Sequence, residues 1–236
     1  VEGERDEETG NLAMPDGFNP KSYGRSLPFQ QIHHYKAVLD NMWYVGEGNI
    51  KLLAAYQQNR RQEFEESRDE CGLDLMLHTV NYDLHYTSPM LGAWKIATGI
   101  NGMWQESVNK GSEFLIPDYR LFDYGLFATA TCSINKMNFS GGVRYDHRHL
   151  HGDGLIEDNE QDNDDRVERF KNFSRGFDGF SGSLGVAYEL LPNLNFKANV
   201  SCGFRAPNIS ELASNGEHEG TQRYEIGNTA LKPEQS

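Results

Sequence analysis

Four short blocks of sequence decide how the rest of this chain is interpreted. They are FRAPNISEL at 204–212, SNGEHEGT at 214–221, YEIGN at 224–228 and LKPE at 231–234. A single peptide of this kind is weak evidence, but an ordered set spread over about 30 residues is a specific signal. The set follows a predicted strand that ends near Arg205, and another strand is predicted to begin near Leu231. It therefore occupies a long connection between two strands.

Upstream of the blocks, apolar and polar residues alternate with a period of two, which is typical of β-strands. In the cleanest example, Met137, Phe139, Gly141, Val143 and Tyr145 alternate with Asn138, Ser140, Gly142, Arg144 and Asp146. The eight predicted strands cover residues 32–45, 50–59, 79–86, 94–101, 124–134, 137–146, 181–190 and 194–205. A segment of polar and turn-forming residues, 1–28, precedes them and is predicted to be an extracellular loop.

The connections between these strands alternate in length. Those near residues 47, 90, 135 and 193 are short, and those near 65, 111, 160 and 218 are longer and charged. This alternation is typical of outer-membrane barrels, whose periplasmic turns are short and whose extracellular loops are long. A soluble antiparallel sheet with one wet face also alternates. Strand length and aromatic residues near strand ends favour the membrane barrel; these aromatics are Tyr35, Trp43, Trp94, Trp104, Tyr119, Tyr145 and Tyr188.

Composition excludes several classes of function. The net charge of −13 argues against a nucleic-acid partner, which needs a basic surface. No run of 18 apolar residues exists, and the mean hydropathy is −0.68. Neither the absence of a long apolar run nor the low mean hydropathy argues against a membrane barrel, because only every second strand residue of a barrel faces lipid. There is no nucleophile-elbow or phosphate-loop motif, so no enzyme activity is predicted. Cys132 and Cys202 lie in phase with apolar strand residues, whereas Cys71 lies in a polar segment.

The four blocks closely resemble a segment late in the barrel of TonB-dependent outer-membrane receptors. The resemblance extends over about residues 28–236 and implies an all-β, antiparallel transmembrane β-barrel. Small barrels fill their interiors with packed side chains, whereas one face of the predicted strands is polar. Residues 29–236 would therefore supply about eight or nine strands of a larger barrel of roughly 22 strands. The plug domain, the segment that binds TonB and the barrel ends are not visible, so the chain is expected to be part of a larger receptor.

The family resemblance also implies a ligand site in the connection that carries the blocks. Haem receptors of this family carry a histidine between the Phe-Arg-Ala-Pro box and an Asn-Pro-x-Leu box, and His218 holds that place here. The second box reads Asn228-Thr229-Ala230-Leu231 and lacks its proline. Imidazole is a suitable axial ligand for haem iron, but a single histidine is weak evidence, and a structural role for the boxes is favoured. The predicted ligand-binding residues are His218, Arg205, Glu219, Arg223 and Tyr224.

A second candidate site is the run His147-Arg148-His149-Leu150-His151-Gly152-Asp153. On an extended strand its odd-numbered residues share one face, so His149, His151 and Asp153 could bind Zn²⁺. A solvated strand end at the outer rim of the barrel is the favoured interpretation, because no fourth ligand follows from the spacing. The acidic run 157–165 has a calcium-loop composition without its fixed ligand positions, and is interpreted as a solvated extracellular loop. Four charges are predicted to face the barrel lumen and contact the plug: Asp83, Arg144, Lys197 and Arg205.

The predicted function is active import of a scarce metal complex, most simply a ferric siderophore or haem, with no intrinsic cofactor and no covalent chemistry. The predicted partners are the TonB energy-transducing complex, outer-membrane lipid and the transported complex. A zinc-uptake receptor of the same family is the nearest alternative. A structural or adhesive outer-membrane barrel without transport, and a soluble β-domain, are the alternatives from other classes.

Overall fold

Eight long antiparallel strands form a single sheet in which nearly every strand pairs with its neighbour in sequence. The computed structural model describes residues 27–64, 68–158, 166–218 and 223–236, without the side chains of residues 158, 217 and 218. Its elements are β1 (Phe29–Val45), β2 (Gly48–Phe64), β3 (Leu73–Thr87), β4 (Trp94–Asn109), β5 (Tyr119–Ile134), β6 (Met137–Gly152), β7 (Leu155–Asp158), β8 (Arg166–Phe170), β9 (Phe173–Leu191), β10 (Leu194–Cys202), β11 (Phe204–Arg205), α1 (Ile209–Ala213), β12 (Asn215–His218), β13 (Arg223–Ile226) and β14 (Glu234–Gln235).

The four predicted short turns are confirmed. They lie between β1 and β2, β3 and β4, β5 and β6, and β9 and β10. Left-handed backbone conformations occur in three of them, at Gly46 (φ 61°), Gly92 (φ 66°) and Asn135 (φ 52°). Gly and Asn tolerate this region, so these residues permit tight hairpins. The sheet order is β1-β2-β3-β4-β5-β6-β9-β10, and within the described ranges its two edge strands do not pair with each other. The eight strands therefore form an open segment of a barrel wall.

The strands extend further toward the long connections than predicted. β2 continues to Phe64, into the charged segment where the prediction ended it, and β6 continues to Gly152. The predicted loop between β6 and β9 contains a hairpin, in which β7 pairs with β8. A ninth strand was predicted to begin near Leu231; the structure has the two-residue strand β14, which begins at Glu234 and pairs with β11.

Each strand has one face lined with apolar residues along most of its length. These side chains are exposed to the surroundings of the chain: Val143, Leu184 and Val200 have exposed fractions of 66%, 67% and 68%. Other members of the same face are Trp94, Ile96, Leu126, Phe139 and Phe196. Nothing in the described chain covers this face, as expected for a surface that meets lipid. It is called the outward face below.

The polarity of the two faces reverses at the ends of the strands next to the long connections. There the inward face becomes apolar, and four of its buried residues form one cluster with Ile209 and Leu212 of α1: Tyr119, Leu121, Leu150 and Phe177. The prediction that Tyr119 belongs to an aromatic girdle is wrong, because its ring is buried inside and its hydroxyl donates to Gln105 Oε1 at 2.8 Å. The reversal explains why the period-two pattern gave strand ends too early.

Helices contribute little to this fold. Within the described ranges, none is long and apolar enough to cross a membrane.

Candidate functional site

The segment with the four blocks folds back over the inward face of the sheet. It is called the covering loop (206–218 and 223–233). Its helix α1 buries Ile209 and Leu212 against strands β5, β6 and β9. At the start of the loop, the ring of Phe204 lies against Gly179, where a Cβ atom would come within 2.0 Å of it. The covering loop is therefore packed on the barrel wall rather than extended into solvent.

Arg205 holds the base of the covering loop through two carboxylates. Its Nη1 and Nη2 atoms each donate to Glu211 at 3.0 Å, and its Nε and Nη2 atoms donate to Glu234 at 2.9 and 2.7 Å. Such fork-shaped pairs fix geometry as well as charge. Arg205 was predicted to bind ligand, and in this structure its guanidinium is occupied by these two carboxylates.

The Glu211 carboxylate also takes part in the N-terminal cap of α1. Asn208 accepts a hydrogen bond from the backbone N–H of Glu211, and the Glu211 side chain accepts one from the N–H of Asn208. This capping box satisfies two backbone donors at the start of the helix. The Arg205 guanidinium, and next the Asn208 N–H, lower the pKa of Glu211 below its ordinary value of 4.5. Arg205 likewise lowers the pKa of Glu234, and the two carboxylates raise the pKa of Arg205.

Further contacts tie the loop to the wall through its backbone carbonyls. Arg175 of β9 donates to the carbonyl oxygens of Thr229 and Leu231, and lies 5.3 Å from the centre of the Phe177 ring. Within the loop, Asn228 N–H donates to Glu211 O at 2.8 Å. The carbonyl oxygens of Thr229 and Leu231 thus receive charge-assisted hydrogen bonds from the barrel wall.

A polar groove lies on the inward face beside the covering loop and has a volume of about 640 Å³. It is called the lumen groove. Arg144 donates to Asp146 Oδ1 at 2.7 Å and to Asn101 Oδ1 at 2.8 Å, and Asn101 donates to Asp83 Oδ2 at 3.3 Å. His85 Nδ1 lies 2.5 Å from Asp83 Oδ1. Charged groups of β3 and β6 are therefore linked in one network through the Asn101 amide of β4.

A second ion pair connects the lumen groove to the covering loop. Arg148 donates to Asp123 with Nε at 2.9 Å and Nη2 at 2.7 Å, and its Nη1 lies 3.5 Å from Pro207 O. Of the four charges predicted to face the lumen, Asp83, Arg144 and Arg205 line this groove, whereas Lys197 of β10 does not. The groove offers both charge signs to whatever occupies it.

The predicted haem-binding residues lie on the β12–β13 hairpin. In register, His218 is opposite Arg223 and Glu217 is opposite Tyr224, so the backbone brings 218, 223 and 224 together. The Tyr224 hydroxyl donates to Asn215 Oδ1 at 2.8 Å, and Asn215 Nδ2 donates to Arg169 O at 2.7 Å. The side chain of His218 and all of Glu219 lie outside the described residues, so a role for them stays a prediction.

The predicted metal ligands are only partly brought together. His151 Nε2 lies 3.1 Å from Asp153 Oδ1, but His149 Nε2 lies 3.2 Å from Ser174 Oγ on the neighbouring strand. The described ranges contain no group of three or more His, Cys, Asp or Glu side chains that could hold a metal ion. Same-face residues on a strand are about 7 Å apart, whereas zinc ligands lie about 2 Å from the ion. The acidic run after Asp158 is outside the described residues.

Sequence reasoning missed the partners that hold the covering loop, namely Glu211, Glu234, Arg148 and Arg175. Two of them carry a recognisable signal. Asn208 followed three positions later by Glu211 is the spacing of a capping box. Arg148 is in phase with the lumen-facing Arg144 and Asp146. Glu234 lies in the LKPE block, but nothing in that block indicates its partner, and Arg175 carries no local signal. The partners of both residues are distant in sequence.

Comparison with known proteins agrees with this geometry. The family described as "TonB dependent receptor-like, beta-barrel" matches residues 16–236. Comparison with curated protein sequences gives no match. Among solved structures, the chain is similar to the FrpB iron transporter from Neisseria meningitidis in its apoprotein form, with a TM-score of 0.59 and 13% identity over 78% of this chain and 31% of that one.

Two further solved structures are similar in fold to this chain. A double mutant of the Serratia marcescens hemophore receptor HasR, in complex with its hemophore HasA and heme, matches with a TM-score of 0.64 and 16% identity over 89% of this chain and 35% of that one. The copper transporter OprC matches with a TM-score of 0.59 and 16% identity over 87% of this chain and 36% of that one. The chain thus spans about a third of the length of these structures.

Proposed function

Because the chain belongs to the TonB-dependent receptor β-barrel family, we propose that it is part of the wall of an outer-membrane active transporter for a scarce metal complex, either a ferric siderophore or haem. The observation that supports this proposal best is the covering loop packed inside the wall above the lumen groove. A structural barrel needs no charged inner network beneath a tethered loop. An importer needs a lumen that ligand and plug can occupy in turn.

The proposal gives each described group a task. The outward face meets lipid, and the lumen groove contacts a plug domain through Asp83, Arg144 and their partners. The covering loop, with the β12–β13 hairpin, receives the ligand from outside. Movement of the plug, driven by TonB, then opens the path. The neighbours named for iron, heme and copper are consistent with metal cargo, although at their low identities they share only the fold with this chain.

Uptake assays distinguish the possible cargoes. A deletion strain complemented with this protein is grown under iron limitation with hemin or a ferric siderophore as the iron source, and separately under zinc limitation. Growth on hemin or siderophore that requires TonB supports the proposal. Rescue only under zinc limitation identifies a zinc receptor, and TonB-independent growth in every condition indicates a barrel without active transport.

A direct binding experiment tests haem. Hemin is titrated into the detergent-purified protein while the Soret band is followed, beside His218→Ala and the control His149→Ala on the outward face. A saturable shift that weakens only in His218→Ala supports haem ligation by His218. Absence of any saturable shift removes haem and leaves siderophore and zinc as candidates.

A further inference from the structure

Two adjacent grooves lie on the outward face, in the half of the sheet next to the short turns. The larger groove has a volume of about 750 Å³ and the smaller one about 460 Å³. Both are lined by Phe139 of β6, Leu184 of β9 and Val200 of β10. These three side chains are called the ridge, and the two grooves lie on either side of it. The pair is called the twin grooves.

Small residues between large ones make this surface concave. In the larger groove, Ala130 is opposite Gly141 in register. A Cβ atom on Gly141 would be 3.1 Å from Cδ2 of Leu184, so the ridge packs directly beside this glycine. In the smaller groove, Ala198 is opposite Val186. The sequence therefore places its small side chains where the grooves are deepest and its bulky ones along their borders.

The chemistry of the twin grooves selects a hydrocarbon. The described residues that line them include no charged side chain. Their outward-facing members are apolar, and their serine, threonine and asparagine members are in the inward phase, as Ser140 is between Phe139 and Gly141. A polar occupant would lose its hydrogen bonds to water here without gaining others. The grooves continue a face that meets lipid, and a bilayer supplies acyl chains at this depth.

A cation lies beyond the short-turn end of the twin grooves. Tyr188 is opposite Met137 at the last step of the sheet, where aromatic residues of a barrel mark the membrane interface. The exposed Lys136 follows in the turn between β5 and β6, and its carbonyl oxygen accepts a hydrogen bond from Glu189 N–H at 2.9 Å. Phe139 is three residues away, which is about 10 Å of extended chain. The Lys136 ammonium group is therefore at headgroup depth, near the ridge.

We propose that the twin grooves bind the two acyl chains of one glycerophospholipid, with its phosphate beside Lys136. This inference depends on the proposed function in one respect, since it requires the outward face to be embedded in a bilayer. Two grooves with a common ridge fit two chains that are joined at one glycerol, and Lys136 complements the charge of the phosphate. A helix of a membrane protein is about 10–12 Å across with its side chains, so it would sit on the ridge and leave both grooves unfilled.

Native mass spectrometry of the detergent-purified protein tests the two-chain site. Phosphatidylglycerol, which has two acyl chains, and lysophosphatidylglycerol, which has one, are titrated in parallel. We expect the wild type to bind the two-chain lipid several-fold more tightly than the one-chain lipid. Ala198→Leu fills the smaller groove and is expected to abolish most of this difference. Ala54→Leu adds the same side chain to the outward face of β2, outside the grooves, and is expected to keep it.

The same titrations test the position of the headgroup. Lys136→Gln is expected to weaken both lipids alike, by about fivefold, because one cation at the membrane surface contributes roughly this much attraction. Lys95→Gln is the matched control. It removes the same charge near the short-turn end of the sheet, but from the inward face, where Lys95 is opposite Thr131. An equal loss in both variants would contradict the placement of the phosphate beside Lys136.

The outcomes separate this inference from the function on which it depends. Insertion into lipid vesicles is measured first, by protease protection, and failure of the wild type to insert contradicts the membrane function itself. If the protein inserts but Ala198→Leu keeps the full difference between the two lipids, or the wild type shows no difference, the grooves do not hold two chains. Wild-type dimers that Ala198→Leu converts to monomers would identify a second copy of the protein as the occupant and would also overturn the proposal.

Discussion

Arg205 and Glu234 are 29 positions apart in sequence, yet Arg205 Nε is 2.9 Å from Oε2 of Glu234 and Arg205 Nη2 is 2.7 Å from Oε1. Between them run the covering loop and its hairpin. A bidentate pair at this point closes the loop at its base, where β11 meets β14. The two motifs that stand furthest apart in the recognised sequence, Phe-Arg-Ala-Pro and Leu-Lys-Pro-Glu, thus meet through their charged residues.

Replacing Arg205 by alanine is expected to loosen the covering loop without unfolding the wall. The variant loses four hydrogen bonds and leaves Glu211 and Glu234 facing each other. Because the pairs are partly exposed, solvent screens them, and amide hydrogen exchange in 206–214 is expected to accelerate by roughly three- to tenfold. Arg205→Lys keeps the positive charge but cannot form the bidentate pairs, so its exchange rate in 206–214 should lie between those of the wild type and Arg205→Ala. Unchanged exchange in Arg205→Ala would contradict the conclusion that the pairs of Arg205 with Glu211 and Glu234 hold the covering loop.

Acid is expected to weaken the ion pairs of Arg205 with Glu211 and Glu234 and so to loosen the covering loop. The folded-state pKa values of Glu211 and Glu234 are lowered from 4.5 by Arg205. A carboxyl with a lowered pKa stabilises the folded form fully above its unfolded pKa, and loses that contribution as pH falls through the lower folded value. Loop mobility should therefore stay constant above about pH 5 and increase below about pH 4.

A spin-labelled amino acid at position 210, which is exposed on α1, reports this mobility by electron paramagnetic resonance. Glu234→Gln is the matched control, since it removes one of the two titrating groups. It should show a more mobile label at neutral pH and a smaller further increase in acid. An acid transition of the same size in Glu234→Gln would show that other groups cause it.

Leu212 is expected to supply much of the free energy that docks the covering loop. Its side chain is 1% exposed and packs in the cluster with Tyr119, Leu150 and Phe177. Leu212→Ala leaves a cavity and should cost about 2–5 kcal/mol of local stability. Hydrogen exchange of 209–213 measures this loss. Ile226→Ala removes an equally apolar side chain that is 79% exposed and should change exchange little; similar effects from both variants would argue against docking.

The strands were predictable where lipid-facing and lumen-facing residues alternate, as in β6 from Met137 to Tyr145. The strand ends next to the long connections were not predicted, because polarity reverses there: Leu77 of β3 packs against the inward cluster, whereas its neighbour His78 is on the other face. A search for apolar residues at every second position of a strand stops where the apolar residues move to the other face.

Of the candidate site, the sequence predicted only the location. The FRAP segment marks it, but the pairing of Arg205 with Glu234 depends on how a long connection returns, which residue spacing does not encode.

The absence of a side chain at Gly179 is expected to be essential for the position of Phe204, at the start of the covering loop. A Cβ atom built on it would come within 2.0–2.5 Å of three atoms of the Phe204 ring, far closer than packing allows. Gly179→Ala must therefore displace Phe204 or bend β9, and overpacking of this kind costs about 1–3 kcal/mol. Gly182→Ala, in the same strand, is the control, because its nearest neighbour would be the Gly142 carbonyl oxygen at an ordinary 3.4 Å.

The two alanine variants are compared by hydrogen exchange of 204–214 and by transport of the identified cargo. In Gly179→Ala, exchange should accelerate in this segment while the β1–β6 amides stay protected, and transport should fall if the docked loop is needed to receive ligand. Since Gly179 has no side chain that could touch the ligand, a transport loss accompanied by faster exchange assigns the effect to loop position. Equal exchange in Gly179→Ala and Gly182→Ala would mean that Phe204 finds another site on the wall, and that its contact with Gly179 does not hold the loop.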